Sequence, residues 1–582
     1  MRCATDGIRA ERDFTALCET LATERQAKTP LPVLLNGLSG GALTAFCAEC
    51  ARKLGAPFLF LVPEESGARR LSDALRAAGL RAFCYPRRNF VFHEMTASHD
   101  LARERLFVLH ALLAGEADAI VATPAAALQF TMPRARLAEL SRTLHVGDTV
   151  EIGKLCAHLT ALGYAREEQV DGGGQYARRG GILDIFPTGD ACPVRIEFFG
   201  DEIDGMYEFD VLTQRRGERR PPVTVLPSRE VLPDAAARAR IRHEMELCLK
   251  KAPPEGAEVL RTELAVLDGG GELLSADKYL AAVYPEGAHL FSYLSADGVR
   301  PVVALLGTNE VKESLSAALR FAAEETLPLL EGGVLTPAMN RYFGDESAFA
   351  AALSSAAVLH ANAFAGGVGS LKCAGLFGFR ARAGVSYADR FPLLTEDCRH
   401  LVEGGYRVLL LTASVAEENA LAERLRGEGF SVSAVAPDEP FLSAAPRAGV
   451  LYLSHVAPGV SVSGYELPTS RIAVLSTLPE EAAVRRPRVS RTRRHRAAGE
   501  RLLSYADLRE GDYVVHAVHG IGRFGGMTTM TVDGAVRDYI TILYAGSDKL
   551  FLPADRLESI TKYIGAAADG GNVRLSRLGG SE

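Results

Sequence analysis

The chain has 582 residues, 47% apolar and 24% charged, with a formal net charge of −7. That length implies roughly three to five domains, because single cores rarely grow past ~250–300 residues. The composition excludes collagen-like and low-complexity chains, no apolar run reaches the ~18–20 residues that span a bilayer, and the charge balance speaks against polyanion binding by the chain as a whole.

The N-terminus, Met1-Arg2-Cys3-Ala4-Thr5-Asp6, lacks the apolar core of a signal peptide. The ten scattered cysteines are therefore expected as reduced thiols in the cytoplasm. One CxxC occurs, Cys47-Ala48-Glu49-Cys50, in a predicted helix with no second pair and no nearby histidine. It reads as buried helix-face cysteines, and no metal site is expected.

From the N-terminus, strands and helices alternate. Asn36-Gly37-Leu38-Ser39-Gly40-Gly41-Ala42-Leu43-Thr44 stands where a nucleotide-binding sheet carries its phosphate loop. A working loop reads GxxxxGK[ST], its lysine reaching the β- and γ-phosphates and its hydroxyl holding Mg²⁺. Here Ala42 and Leu43 occupy those two places, and no lysine occurs between Lys28 and Lys53. No catalytic residue is expected in the chain. Pro57 to Pro63 is a continuous apolar run suited to a parallel strand. A helix with Leu71, Ala74, Leu75 and Ala78 follows, then strands at 82–85 and 119–122 around a helix from Leu101 to Leu113. This is βαβ architecture.

Near Gly147 the pattern changes to strands with turn signals. Gln175 to Pro187 leads into Val194 to Asp204. By the period-two rule Val194, Ile196 and Phe198 share one face, and Arg195, Glu197 and Phe199 share the other. An aromatic beside an arginine on an exposed face is a protein-binding anchor; the alternative is that Phe199 packs under a neighbouring loop. Residues 228–350 are mixed and helix-rich. From about 360 a second βαβ series appears, with strands at 407–412, 450–453 and 472–475 and a helix from Glu417 to Arg426, and without a phosphate loop.

Arg485, Arg486, Arg488, Arg491, Arg493, Arg494 and Arg496 form a run with no acidic residue among them. It reads as a solvated linker, with phosphate contact as the competing reading. Gly511 to Gly565 then gives short β-branched and aromatic runs split by Gly and by Asp533-Gly534, the pattern of a small, strongly bent antiparallel barrel. Such a barrel has too little interior for a catalytic cleft and suits docking.

Two segments carry a resemblance to known families. Tyr176–Pro187 and Arg195–Asp204 resemble the small domain through which the damage-recognition protein UvrB binds UvrA. Val514 to Tyr563 resembles the RNA-polymerase-interacting module of the CarD and transcription-repair coupling factor families, through His516, His519-Gly520-Ile521-Gly522-Arg523, Gly526-Met527-Thr528-Thr529, Tyr539, Lys549-Leu550, Pro553 and Leu557. The coupling-factor family joins the two in this order. A free-standing CarD-type regulator with an unrelated N-terminal half is the rival reading.

The resemblance implies a multidomain α/β chain. Residues 1–140 and 227–350 form a UvrB-like α/β domain with a degenerate phosphate loop, and 141–226 an inserted α+β UvrA-binding domain. Residues 360–482 form a further α/β domain, 483–504 the Arg-rich linker, 505–566 a β-barrel of Tudor or CarD type, and 567–582 a linker toward a motor that the chain lacks. It also implies an adaptor that binds the β subunit of stalled RNA polymerase and recruits UvrA in transcription-coupled excision repair. Candidate UvrA contacts are Arg179, Arg195 and Phe199; candidate polymerase contacts are Met527, Thr528, Thr529, Met530, Thr531 and Val532. For Met530, filling the barrel core is the competing role. Arg491, Arg493, Arg494 and Arg496 are candidate DNA contacts. No cofactor is expected in this chain; ATP, Mg²⁺ and most double-stranded DNA contact belong to the motor of the longer parent. A monomer is expected.

Overall fold

The computed structural model describes residues 1–55, 57–88, 90, 92, 99–211, 213–220, 222–271, 273, 275–295, 298–363, 372–444, 447–457, 460, 462–478, 499–501, 513–516, 520–532, 535–544, 549–553 and 560–563. It divides into two compact units, Met1–Val489 and Ser490–Glu582.

The first unit is built on a seven-stranded parallel sheet. Its strands run in the order 375–378, 33–36, 357–362, 302–306, 58–61, 119–122 and 82–85. The central strands are buried on both faces, as their unbroken apolar runs require: Val302–Leu306 and Phe58–Leu61 expose nothing beyond the edge of Leu306. Residues 375–378, expected in the further α/β domain, instead pair in parallel with Val33–Asn36 at the edge of this first sheet. A four-residue, Gly-flanked strand has too little pattern to announce which sheet it joins.

A second parallel-centred sheet follows, in the order 382–383, 465–467, 472–476, 407–412, 450–455 and 431–434. Its four parallel strands carry helices Phe391–Glu403 and Val415–Gly427 over one face, around Leu394, Cys398, Leu410, Leu425 and Leu453. The other face does not end in solvent. Leu409, Leu411, Phe441, Tyr452, Tyr465 and Ile472 share one continuous core with Phe14, Ala42, Phe46 and Leu359 of the first lobe. The two α/β lobes are thus cemented by apolar burial, the dominant favourable term in folding.

Residues 141–226 leave the first lobe and return to it. Arg142–Leu144 and Val223–Val225 pair antiparallel where the chain enters and exits. Beyond that gate lies a six-stranded sheet in the order 216–219, 202–209, 194–199, 182–185, 175–179 and 165–166. Its inner face and helix Ile152–Ala161 enclose a separate core of Leu155, Leu159, Tyr176, Leu183, Ile185, Val194, Ile196 and Met206.

The exit is fixed by buried charge. The Glu230 carboxylate accepts from Arg105 Nε at 3.0 Å and also from Arg88 and Thr131, and Arg88 Nη1 reaches Asp277 at 2.7 Å. Arg105 is fully buried and its Nη1 donates to the Pro86 carbonyl. A buried carboxylate between two guanidiniums is tolerable only because each charge has partners.

The second unit contains one six-stranded antiparallel sheet, ordered 499–501, 560–563, 513–516, 520–532, 535–543 and 549–553. Its long strands 520–532 and 535–543 shift register between Phe524 and Met527, where Gly526 takes φ +95°. An extra residue at such a point bends the strand and increases its twist. The chain as a whole is therefore mixed α/β, with parallel and antiparallel sheets.

Candidate functional site

The six-stranded sheet of the insertion has an outer face that its core does not use. Antiparallel pairing sets Ile182 opposite Glu197 and Asp184 opposite Arg195. The turn 179–182 and the turn 199–202 consequently lie at the same end of the sheet, joined by a Phe198 N–H that donates to the Gly181 carbonyl at 2.9 Å. Both turns contain a glycine with positive φ, Gly180 at +61° and Gly200 at +63°. That conformation is open to glycine at little cost and disfavoured for side chains with a Cβ.

Phe199 sits at this end and is 83% exposed, more than any other large apolar residue described. Val194 and Ile196 are fully buried in the same strand, as the alternation predicts. The reading in which Phe199 packs under a loop is overturned, because almost the whole ring faces solvent. Scattered exposed apolar side chains are ordinary; an exposed phenyl at a hairpin tip, with an exposed Arg179 at the neighbouring turn, suits a binding anchor.

Arg179 is exposed at the neighbouring turn, and its Nη2 donates to the Glu168 carbonyl at 3.0 Å. It braces the loop with one nitrogen and leaves the rest of its fork in solvent. Arg195 is placed differently from expectation. Its Nε and Nη2 donate to Asp184 Oδ1 and Oδ2 at 2.7 and 2.8 Å, and its guanidinium carbon lies 4.8 Å from the centroid of Phe209. Asp184 is 2% exposed. The hydrogen bond to Asp184 holds the Arg195 pKa above its ordinary value. The fork expected to meet a partner's carboxylate is engaged bidentately inside the domain.

Sequence reasoning missed Asp184 and Arg216 on this face. Asp184 anchors Arg195. Arg216 lies over the Tyr207 ring, its guanidinium carbon 3.1 Å from the centroid, and its Nη1 is 3.5 Å from Glu197 Oε1. The Gly180-Gly181 hairpin sets Asp184 against Ala177, and its pairing with Arg195 depends on the longer connection 186–193, so the local register does not reach it; nothing in the local pattern places Arg216 either, because the pairing of strands 202–209 and 216–219 is irregular.

In the second unit the strand Gly520–Val532 carries the candidate polymerase contacts. Met527 pairs with Ile540, Thr528 with Tyr539, Thr529 with Asp538, Met530 with Arg537, Thr531 with Val536 and Val532 with Ala535. Thr528 is exposed and its Oγ1 lies 3.1 Å from Thr541 Oγ1. The side chains of Met527, Thr529, Met530, Thr531 and Val532 lie outside the described residues, as do Arg491, Arg493, Arg494 and Arg496. The glycine loop joins strand Val33–Asn36 to helix Gly40–Leu54, with Ala42 fully buried.

Comparison with known proteins finds matches for two segments of the chain. Residues 143–230 match the family described as the UvrB interaction domain, and residues 508–564 the CarD-like/TRCF RID domain. The chain is similar in sequence to the transcription-repair-coupling factors. It is 28% identical over 562 residues to the transcription-repair-coupling factor of Bacillus subtilis. It is 24% identical over 561 residues to that of Staphylococcus aureus strain MRSA252 and 25% identical over 562 to that of Staphylococcus epidermidis. Each alignment covers 94% of this chain and 46% of the relative, so the chain spans about half the length of the curated relatives it matches.

Proposed function

We propose that this chain is the adaptor region of a transcription-repair-coupling factor, holding RNA polymerase with one unit and UvrA with the other. The observation that carries the reading is the 83% exposed Phe199 beside Arg179, within the segment that matches the UvrB interaction domain. A phenyl ring supplies area that is desolvated on docking, and the free part of the Arg179 fork pairs with acidic groups around it. Arg195 serves the same surface from beneath, by fixing the strand that presents Phe199.

The polymerase partner is the β subunit, gripped by Met527 to Val532 on a sheet closed into a small Tudor-like barrel. The match of 508–564 to the CarD-like/TRCF RID domain supports this. A CarD-type regulator with an unrelated N-terminal half does not account for similarity to coupling factors over 94% of the chain. ATP, Mg²⁺ and DNA translocation belong to the longer protein, with Arg491, Arg493, Arg494 and Arg496 as a subsidiary phosphate contact. The chain works as a cytoplasmic monomer. No described helix is long and apolar enough to cross a membrane.

Phe199→Ala combined with Arg179→Glu tests the assignment. Loss of a central aromatic anchor costs about 2 kcal/mol, roughly thirtyfold in affinity, and the charge reversal adds to it. Titration calorimetry with UvrA should show that loss, with thermal stability unchanged because both side chains are exposed. Wild-type affinity in the double variant would mean that UvrA binds elsewhere.

A further inference from the structure

The glycine loop has its glycines but no lysine, and the structure shows what lies against it. A Cβ on Gly41, in the first turn of helix Gly40–Leu54, would collide with the Ser463 carbonyl and lie 2.8 Å from the Gly464 carbonyl oxygen. A Cβ on Gly37 would collide with the Phe379 carbonyl. Gly384 is packed as closely against Gly464, 2.6 Å from its carbonyl carbon by the same measure. Backbone oxygens of the second α/β lobe thus stand at the helix N-terminus, whose partial positive charge favours the oxygens of a phosphate in a working loop.

A strap at the N-terminus binds the same lobe from the other side. Asp6 Oδ1 and Oδ2 accept from the Phe441 and Leu442 N–H groups at 3.0 Å each. The Cys3 N–H donates to the Pro437 carbonyl, and Cys3 Sγ donates to Ser454 Oγ at 3.6 Å. The Tyr465 hydroxyl donates to the Ala4 carbonyl at 3.1 Å, and Ser470 Oγ to Glu11 Oε1 at 2.6 Å. Gly7 lies directly beneath the Tyr465 hydroxyl, and Thr5 Oγ1 ties the strap back to Glu49 of the loop's own helix at 2.8 Å.

We infer that the vacated phosphate loop has become a docking socket for residues 463–464 of the second lobe, latched by residues 3–11. Glycine is kept at position 41 because backbone must approach backbone there, the same steric demand that a phosphate imposes. The occupant is internal, and the socket holds the second lobe locally against the first.

Native cysteines report on this directly. Cys3 is part of the latch and is fully buried, whereas Cys248 and Cys398 belong to the separate interiors of the first and second lobes. The rate of N-ethylmaleimide labelling is followed residue by residue by mass spectrometry in the full chain. In Gly41→Ala the Cys3 rate should rise at least about tenfold, the signature of local opening, with Cys248 and Cys398 at their wild-type rates. Asp6→Ala should act in the same way from the other side. Gly427→Ala is the control, since nothing lies within 4 Å of its Cβ and its φ is ordinary. Unchanged Cys3 labelling in Gly41→Ala overturns the inference. So does a parallel rise of all three thiols, which would make the contact part of one indivisible fold, or an equal rise in the control.

Discussion

In the proposed UvrA-binding surface Arg195 supports the strand of Phe199 without reaching across to a partner. Its guanidinium is 16% exposed and its bidentate partner Asp184 2%. Removing one member of such a pair strands the other charge, at a cost of about 3 kcal/mol. Asp184→Ala should therefore lower the denaturation midpoint and weaken UvrA binding through misplacement of the Phe199 strand. An apolar replacement of both, Asp184→Leu with Arg195→Met, removes the stranded charge and should recover most of the stability. Recovery of UvrA affinity together with stability is the expected outcome, measured by calorimetry on the same two variants. A stable double variant that still fails to bind would make Arg195 a direct contact. The sequence made Arg195 and Phe199 legible, because alternation alone sorts their faces. It left Asp184 unread, because an aspartate between Leu183 and Ile185 looks the same whether it meets solvent or an arginine.

Elements extend the same logic. The insertion presents its anchor through two glycine turns, and neither Gly180 nor Gly200 has any atom within 4 Å of where a Cβ would stand. Gly200→Ala meets no steric neighbour and pays only the backbone term, about 1 kcal/mol for forcing a left-handed conformation. The turn should relax toward negative φ and swing Phe199 off the end of the sheet, so UvrA affinity should fall by more than the small stability loss implies. Equal losses in both measurements would show that the turn geometry is immaterial to docking. Buried-type strands such as Phe58–Leu61 and Arg407–Thr412 are legible in sequence because continuous apolar runs have few other uses. The edge strand Gly375–Gly378 is not, nor is the socket at Gly41. Contacts between backbone groups leave no side-chain pattern to read.

At the scale of the molecule the two proposed partner surfaces belong to separate compact units, Met1–Val489 and Ser490–Glu582. The UvrB interaction match and the CarD-like/TRCF RID match fall one in each. Sites on different units with no shared partners are expected to act independently, so their free energies of binding should add. If the chain is an adaptor, immobilised polymerase β subunit should retain UvrA only when this chain is present, at a ratio near one to one. Met530→Arg should then abolish retention of both the chain and UvrA, because a buried guanidinium without a partner cannot be accommodated in a protein contact. Phe199→Ala with Arg179→Glu should release UvrA alone and leave the chain on the polymerase. That asymmetry separates a bridge from two unrelated activities on one polypeptide. Retention of UvrA by polymerase without the chain, or loss of polymerase binding in the Phe199 and Arg179 variant, would contradict two independent surfaces joined by one backbone.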